Sequence, residues 1–171
     1  MEQHSEQYSE PYSEQYSETI TAIFAAADEE SRRPARRRRN PSRIGQLAEA
    51  AFLYKAAGLD FGVAKPWYSE RYDFILDSGA RLWRVQLKCT EVLRARGYDV
   101  QPMYNVYGKG KRVYTAEDID ALAVHITPLD VWYVLLIEDF APRKSLRFYP
   151  SNACKRARFE RFREAWHLLR P

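Results

Sequence analysis

Apolar residues recur along this chain with two spacings. In "RIGQLAEAAFLYKAA", Ile44, Leu47, Ala48, Ala51 and Phe52 return every three or four residues. That spacing predicts an amphipathic helix, with Ser42 as its N-cap and Gly58 as its stop. A short strand is expected near "FGVAK", followed by a Pro-Trp-Tyr-Ser-Glu loop, the strand "YDFILD" and a turn at "SGA". The next stretch, "RLWRVQLKC", has a period of two. Trp83, Val85, Leu87 and Cys89 fall on one face; Arg84, Gln86 and Lys88 fall on the other. That second face is too polar for a core and too uniform for an ordinary solvated edge.

Further on, "VLRARGYDV" reads as a strand bearing Arg94 and Arg96, and "GKGKR" as a basic loop with Lys109, Lys111 and Arg112. Thr115 with Asp118 three residues later resembles a capping box and predicts a helix start in "YTAEDIDALAVHI". There, carboxylates at Asp118 and Asp120 would complement the helix dipole, a structural role. "VWYVLLI" lacks alternation, as a strand covered on both faces does. "SLRFYP" is a short strand ending at Pro150. In "KRARFERFREAWHLL", Phe159, Phe162, Trp166 and Leu169 form the stripe of a final helix. The order of elements predicts an α/β fold with a central mixed β-sheet flanked by helices.

The first 40 residues do not fit that pattern. "SEQYSEPYSEQYSE" repeats Tyr-Ser-Glu, and "RRPARRRRN" holds six arginines, including Arg36, Arg37, Arg38 and Arg39. Neither can bury a core, so residues 1–40 are expected to be a disordered acidic repeat followed by an arginine arm, with the folded domain in residues 41–171. Charge is divided the same way. Residues 1–31 carry −8, so with +4 overall the rest of the chain carries +12, which points to a polyanionic partner such as DNA. A generic solubilising surface is the lesser alternative for the charge of the body, whereas an arm folded back on the acidic repeat accounts for the arginines as simply as a nucleic acid does. Three scattered histidines argue against a zinc site, and two cysteines without CxxC spacing suggest reduced thiols in a cytoplasmic setting. No apolar run approaches the ~20 residues of a membrane span, and no signal-peptide pattern is present.

Chemistry enters with four residues. Glu49 lies at the margin of the first helix's apolar stripe, about 60° from Phe52 at 100° per residue. Asp73 precedes Phe74, Ile75 and Leu76 at the start of a strand, and Gln86 and Lys88 share a face of the next. If those strands pair through "DSGA", Asp73 and the Gln-x-Lys pair converge at one end of the sheet. Taken singly, each is more simply a solvated or turn residue. Together they make the inventory of phosphodiester cleavage: oxygen ligands for a hard cation and a lysine for phosphate charge. Arg71, Arg94, Arg96, Lys109, Lys111 and Arg112 are the body's candidates for the DNA backbone.

The stretches "GQLAEAAF", "RYDFILDSGARLWRVQLKCT" and, more weakly, "YTAEDIDALAVHITPLDVWYVL" resemble the PD-(D/E)xK nuclease superfamily. They are closest to its branch of group I intron homing endonucleases, over roughly Arg43 to Pro150. The resemblance implies a restriction-endonuclease-like three-layer core akin to Holliday-junction resolvases. It also implies Mg²⁺-dependent cleavage of double-stranded DNA (Mn²⁺ as a substitute) and a site of Glu49, Asp73, Gln86 and Lys88, the first three on the metal. Gln86 departs from the usual Asp or Glu, although the homing branch it resembles uses Gln-x-Lys. A neutral amide keeps one ligand oxygen and removes one charge, which leaves open a nuclease-fold module that binds DNA without cutting it. Cutting both strands requires two sites, so a symmetric homo-oligomer, a dimer or tetramer, is expected.

Overall fold

A computed structural model describes residues 40–151 and 154–170. The acidic repeat and Arg36–Arg39 lie outside the described residues. The first element is helix α1 (Pro41–Gly58). Asn40, not Ser42, caps it, with Asn40 Oδ1 accepting from the Ser42 amide at 3.0 Å. Pro41 takes the first helical position, where its preset φ helps and its missing N–H costs nothing. Ala48, Phe52 and Ala56 form the buried stripe, whereas Leu47 stays 48% exposed. The stripe is therefore rotated from the one expected, with small residues letting the helix sit close to the sheet.

Strands β1 (Gly62–Ala64), β2 (Phe74–Asp77) and β3 (Leu82–Thr90) follow, then two small hairpins: β4 (Leu93–Arg94) with β5 (Gly97–Val100), and β6 (Met103–Val106) with β7 (Gly110–Val113). The chain returns to the main sheet as β8 (Ala121–Ile126) and β9 (Val131–Leu136), makes one helical turn, α2 (Ile137–Phe140), and adds β10 (Leu146–Phe148). The central sheet has the order β1-β2-β3-β8-β9, with β3 and β8 parallel and the other neighbours antiparallel. It is the expected mixed sheet in an α/β fold. Its two faces are covered differently. On one, α1 packs Phe52 against Phe74 (ring centroids 4.6 Å apart), with Trp83, Val85, Leu87, Trp132 and Trp166 around it. On the other, Leu122, Val124, Tyr133 and Leu135 meet Tyr98, Val100, Leu146 and Phe148 of the small sheet β10-β5-β4.

Two expected helices are absent. Asp118 does accept from the Thr115 amide and hydroxyl, at 3.0 and 3.1 Å, but the motif closes a single turn. "ALAVHI" then becomes β8, whose six residues are all buried. What redirects the chain is Asp120. Its carboxylate accepts from the Arg84 amide (2.8 Å), Arg84 Nε (3.2 Å) and an Arg84 terminal nitrogen (3.0 Å), pinning the entry of β8 beside β3. Arg84, polar and mid-strand, has its structural reason here.

The C-terminal stripe is buried as expected, but not by one helix. Phe159 and Phe162 join the core on the small-sheet face, whereas Trp166 and Leu169 join the core under α1. One straight helix cannot serve both faces of a sheet. The chain instead makes two short 3-10 turns, Glu160–Phe162 and Trp166–Leu169, and rounds the β9 edge between them. Glu164, at φ 48°, holds that corner. Its amide donates to Trp132 O (2.8 Å), and its carboxylate accepts from the Trp132 amide (2.9 Å), Trp166 Nε1 (3.0 Å) and Lys55 (2.9 Å). The pairing also protects the sheet's outer edge. Cys89 and Cys154 are free thiols, and among the described residues no helix is long and apolar enough to cross a membrane.

Candidate active site

The β2–β3 hairpin turns through Asp77–Arg81, with Gly79 at φ 82° and its amide bonded to Asp77 Oδ1 at 2.8 Å. Its register pairs Phe74 with Val85, so Asp73 lies opposite Gln86, and the Asp73 amide donates to Val85 O at 2.9 Å. Asp73 Oδ2 accepts from the Leu87 amide at 2.8 Å and from Gln86 Nε2 at 2.5 Å. Gln86 Nε2 also donates to Leu87 O at 3.0 Å. Both of its partners are acceptors, which fixes the amide's orientation. Gln86 Oε1 has no protein donor among the described residues and is the atom left open to a ligand.

Gln86 is 7% exposed, so this polar contact sits in a dry wall. Burial raises the Asp73 pKa; the Leu87 amide and Lys88 pull against it, and Glu49 adds to it. Lys88 shows the complementary effect. Its pKa is lowered, first by burial and further by Lys111, with Asp73 opposing. Its ammonium lies 5.6 Å from the Tyr114 ring centroid. An acid and a base with pKa values drawn toward each other on adjacent strands are common at sites of chemistry.

Glu49 reaches this place from α1. Its side chain is 31% exposed and pairs with Lys65 just after β1, Nζ to Oε2 at 2.5 Å. The fold thus brings Asp73, Gln86 and Lys88 together, with Glu49 near enough to raise the Asp73 pKa while its own contact is to Lys65. Among the described residues no three His, Cys, Asp or Glu side chains group so as to hold a metal. An ion here would therefore rest on two carboxylates, an amide oxygen and water. That all-oxygen set suits a hard cation that keeps part of its hydration shell.

A family model described as PD-(D/E)XK endonuclease matches residues 39–169. The chain belongs to that family. The match takes in α1, the whole central sheet and all four residues above, in keeping with the resemblance seen in the sequence. The fold is similar to that of a bacterial homing endonuclease, I-Ssp6803I, with a TM-score of 0.68 at 22% identity, covering 77% of this chain and 94% of that one. No protein of curated function gives a significant match. The family's name has Asp or Glu where the resemblance in the sequence puts Gln86, and this amide donates to Asp73 as an ionised carboxylate cannot.

The basic residues singled out in the sequence fall into two places. Lys109, Lys111 and Arg112 are exposed on the β6–β7 hairpin, where Lys111 donates to Gln101 Oε1 at 2.8 Å. Arg71 lies over the Tyr104 ring of the same hairpin, 4.1 Å from its centroid. Arg94 and Arg96 sit at the β4–β5 turn. Sequence reasoning missed Lys65 and Tyr114. A lysine after a three-residue strand carries no pattern, and Tyr114 falls beneath Lys88 only through the β6–β7 excursion.

Proposed function

We propose that the protein is a Mg²⁺-dependent endonuclease, with Mn²⁺ able to substitute, that hydrolyses phosphodiester bonds in double-stranded DNA. The observation that carries this reading is the contact of Asp73 with Gln86 beside a half-buried Lys88, in a chain of the PD-(D/E)XK family. Asp73, Glu49 and Gln86 Oε1 would hold the ion, which when bound supplies charge neutralisation and an acidified water. The chain's own residues do the rest. Asp73 is aligned by the Leu87 amide and by Gln86 Nε2, both on Oδ2, which leaves Oδ1 as the oxygen that would face an ion. Lys88, seated on Tyr114, places a compact positive charge where the attacked phosphate gains negative charge. Arg71, Arg94, Arg96, Lys109, Lys111, Arg112 and the Arg36–Arg39 arm would contact the backbone, giving affinity without sequence information. Residues 1–40 would act as a tail to a catalytic domain of residues 41–171, working on cytoplasmic DNA as a symmetric homo-oligomer.

One observation favours a second reading, a DNA-binding module without cleavage: Lys65 occupies Glu49, one of only two anionic anchors. Long duplexes of mixed sequence, incubated with Mg²⁺, Mn²⁺ or EDTA and sequenced at their ends, separate the two. Divalent-dependent ends that vanish in Asp73→Ala support the enzyme. Binding without new ends under any divalent ion favours the module.

A further inference from the structure

Three of the four tryptophans are buried, at 5% exposure or less; Trp67 is 91% exposed and its neighbour Tyr68 77%. Single exposed apolar residues need no explanation, but two adjacent aromatics on one loop have an unusual amount of ring surface in water. The loop's position matters. It spans residues 66–71, leaving Lys65, which pairs with Glu49, and returning at Asp73. Its far end is tied to the catalytic lysine by a stack: Arg71 over Tyr104 (4.1 Å), Tyr104 beside Tyr114 (5.1 Å), and Tyr114 beside Lys88 Nζ (5.6 Å). Two ends are held and the aromatic middle is bare.

From this arrangement we infer that Trp67, with Tyr68, is a stacking platform for a DNA base that leaves the duplex stack next to the cleaved phosphate. The inference rests on the DNA-endonuclease reading and adds a contact that reads the base layer rather than the backbone. The surroundings match that partner. Lys65, Arg71, Lys88 and Lys111 supply positive charge for the phosphates on either side of a stacked base, and the indole and phenol offer π-faces that accept any base. Tyr107, fully exposed at the β6–β7 tip near Lys109, extends the aromatic and cationic character of the hairpin that Arg71 leans on. Because the loop that carries Trp67 is held at one end by the Lys65–Glu49 pair and at the other by Arg71 over Tyr104, a base stacked on Trp67 fixes the height of the strand above Asp73 and Lys88. Trp67 is a positioning residue for cleavage.

The test uses the full chain in EDTA, so that nothing is cut, with a dye-labelled duplex of mixed sequence. Dye anisotropy reports binding, and tryptophan emission excited at the red edge reports Trp67, since the other three indoles are shielded. The expected result is quenching that follows the anisotropy curve and disappears in Trp67→Phe. Trp67→Ala should weaken binding about tenfold and, with Mg²⁺ restored, scatter the cut position, while its melting temperature stays at the wild-type value. Normal anisotropy with no change in emission, or wild-type affinity in Trp67→Ala, overturns the inference alone. A changed oligomeric state in Trp67→Ala with unchanged DNA affinity also overturns it, by assigning the loop to a second copy of the chain. Absence of any duplex binding overturns both the inference and the nuclease reading beneath it.

Discussion

Gln86→Glu puts a carboxylate where the amide stands, and it should damage the metal-free protein. The wild-type amide donates to Asp73 Oδ2 at 2.5 Å and to Leu87 O at 3.0 Å in a site where Gln86 is nearly buried. A carboxylate cannot donate, so the hydrogen bond to an ionised acceptor, ~1.5–3 kcal/mol, is lost. Two like charges at that separation would repel with a ceiling of ~7 kcal/mol at an effective dielectric of about 20, a cost the pair lowers by holding a proton between them. We expect a net loss of ~3 kcal/mol at pH 8, which for a domain of this size lowers the melting temperature by roughly 10 °C. The pH dependence has a fixed sign. In the folded state the introduced glutamate would have its pKa raised above the unfolded value, so its stability contribution is present below ~4.3 and is lost as pH rises through the folded pKa. The assay is thermal melting of both proteins from pH 4.5 to 8, in EDTA and in Mg²⁺. The gap between them should widen with pH in EDTA and narrow in Mg²⁺, because an ion bound between the two carboxylates favours the variant more. Melting within 2 °C of wild type at pH 8 in EDTA would refute the amide–carboxylate contact between Gln86 and Asp73.

Other substitutions probe the same account. Asp73→Asn keeps an oxygen for the Leu87 and Gln86 donors and removes a buried charge. Since burial raises the Asp73 pKa, wild type loses stability as pH rises through that pKa, and the variant should melt progressively higher than wild type toward neutral pH while losing metal-induced stabilisation. A differential pH scan by calorimetry checks both. Asp120→Ala removes three bonds to Arg84 at the start of β8, leaves the guanidinium on the Ala116 and Glu117 carbonyls, and should cost ~2 kcal/mol in urea melts. Burial acts to raise the Asp120 pKa, but the Arg84 bonds outweigh it and leave it lowered, so this contribution holds above ~3.9 and fades as acid protonates the group. Glu164→Ala releases the corner around β9 and should cost ~2 kcal/mol, less than a fully buried hub because the carboxylate is partly solvated; proteolysis should then begin after Phe162.

Much of this was legible because the signals were local. The two-residue period of "RLWRVQLKC" gave β3, and the "DSGA" turn fixed the hairpin that sets Asp73 against Gln86. Signals satisfied by a single turn misled. Thr115 and Asp118 make their capping bonds without a helix, because Arg84, more than 30 residues earlier, captures Asp120 and draws the chain into the sheet. The aromatic stripe from Phe159 to Leu169 marked buried residues correctly, yet periodicity cannot tell one core from two, and the stripe serves both faces of the sheet. Lys65 on Glu49 and Tyr114 beneath Lys88 are contacts between distant segments with no periodic trace.

Single-turnover cleavage by Lys88→Met separates a role for Lys88 at the phosphate from a structural one. Methionine keeps the length and the packing on Tyr114 while removing the charge. If Lys88 acts on the phosphate, the rate constant falls by about 10²–10³-fold while duplex affinity and Mg²⁺-induced stabilisation stay within a few-fold of wild type. A variant that binds DNA and cuts it at the wild-type rate would place the chemistry elsewhere.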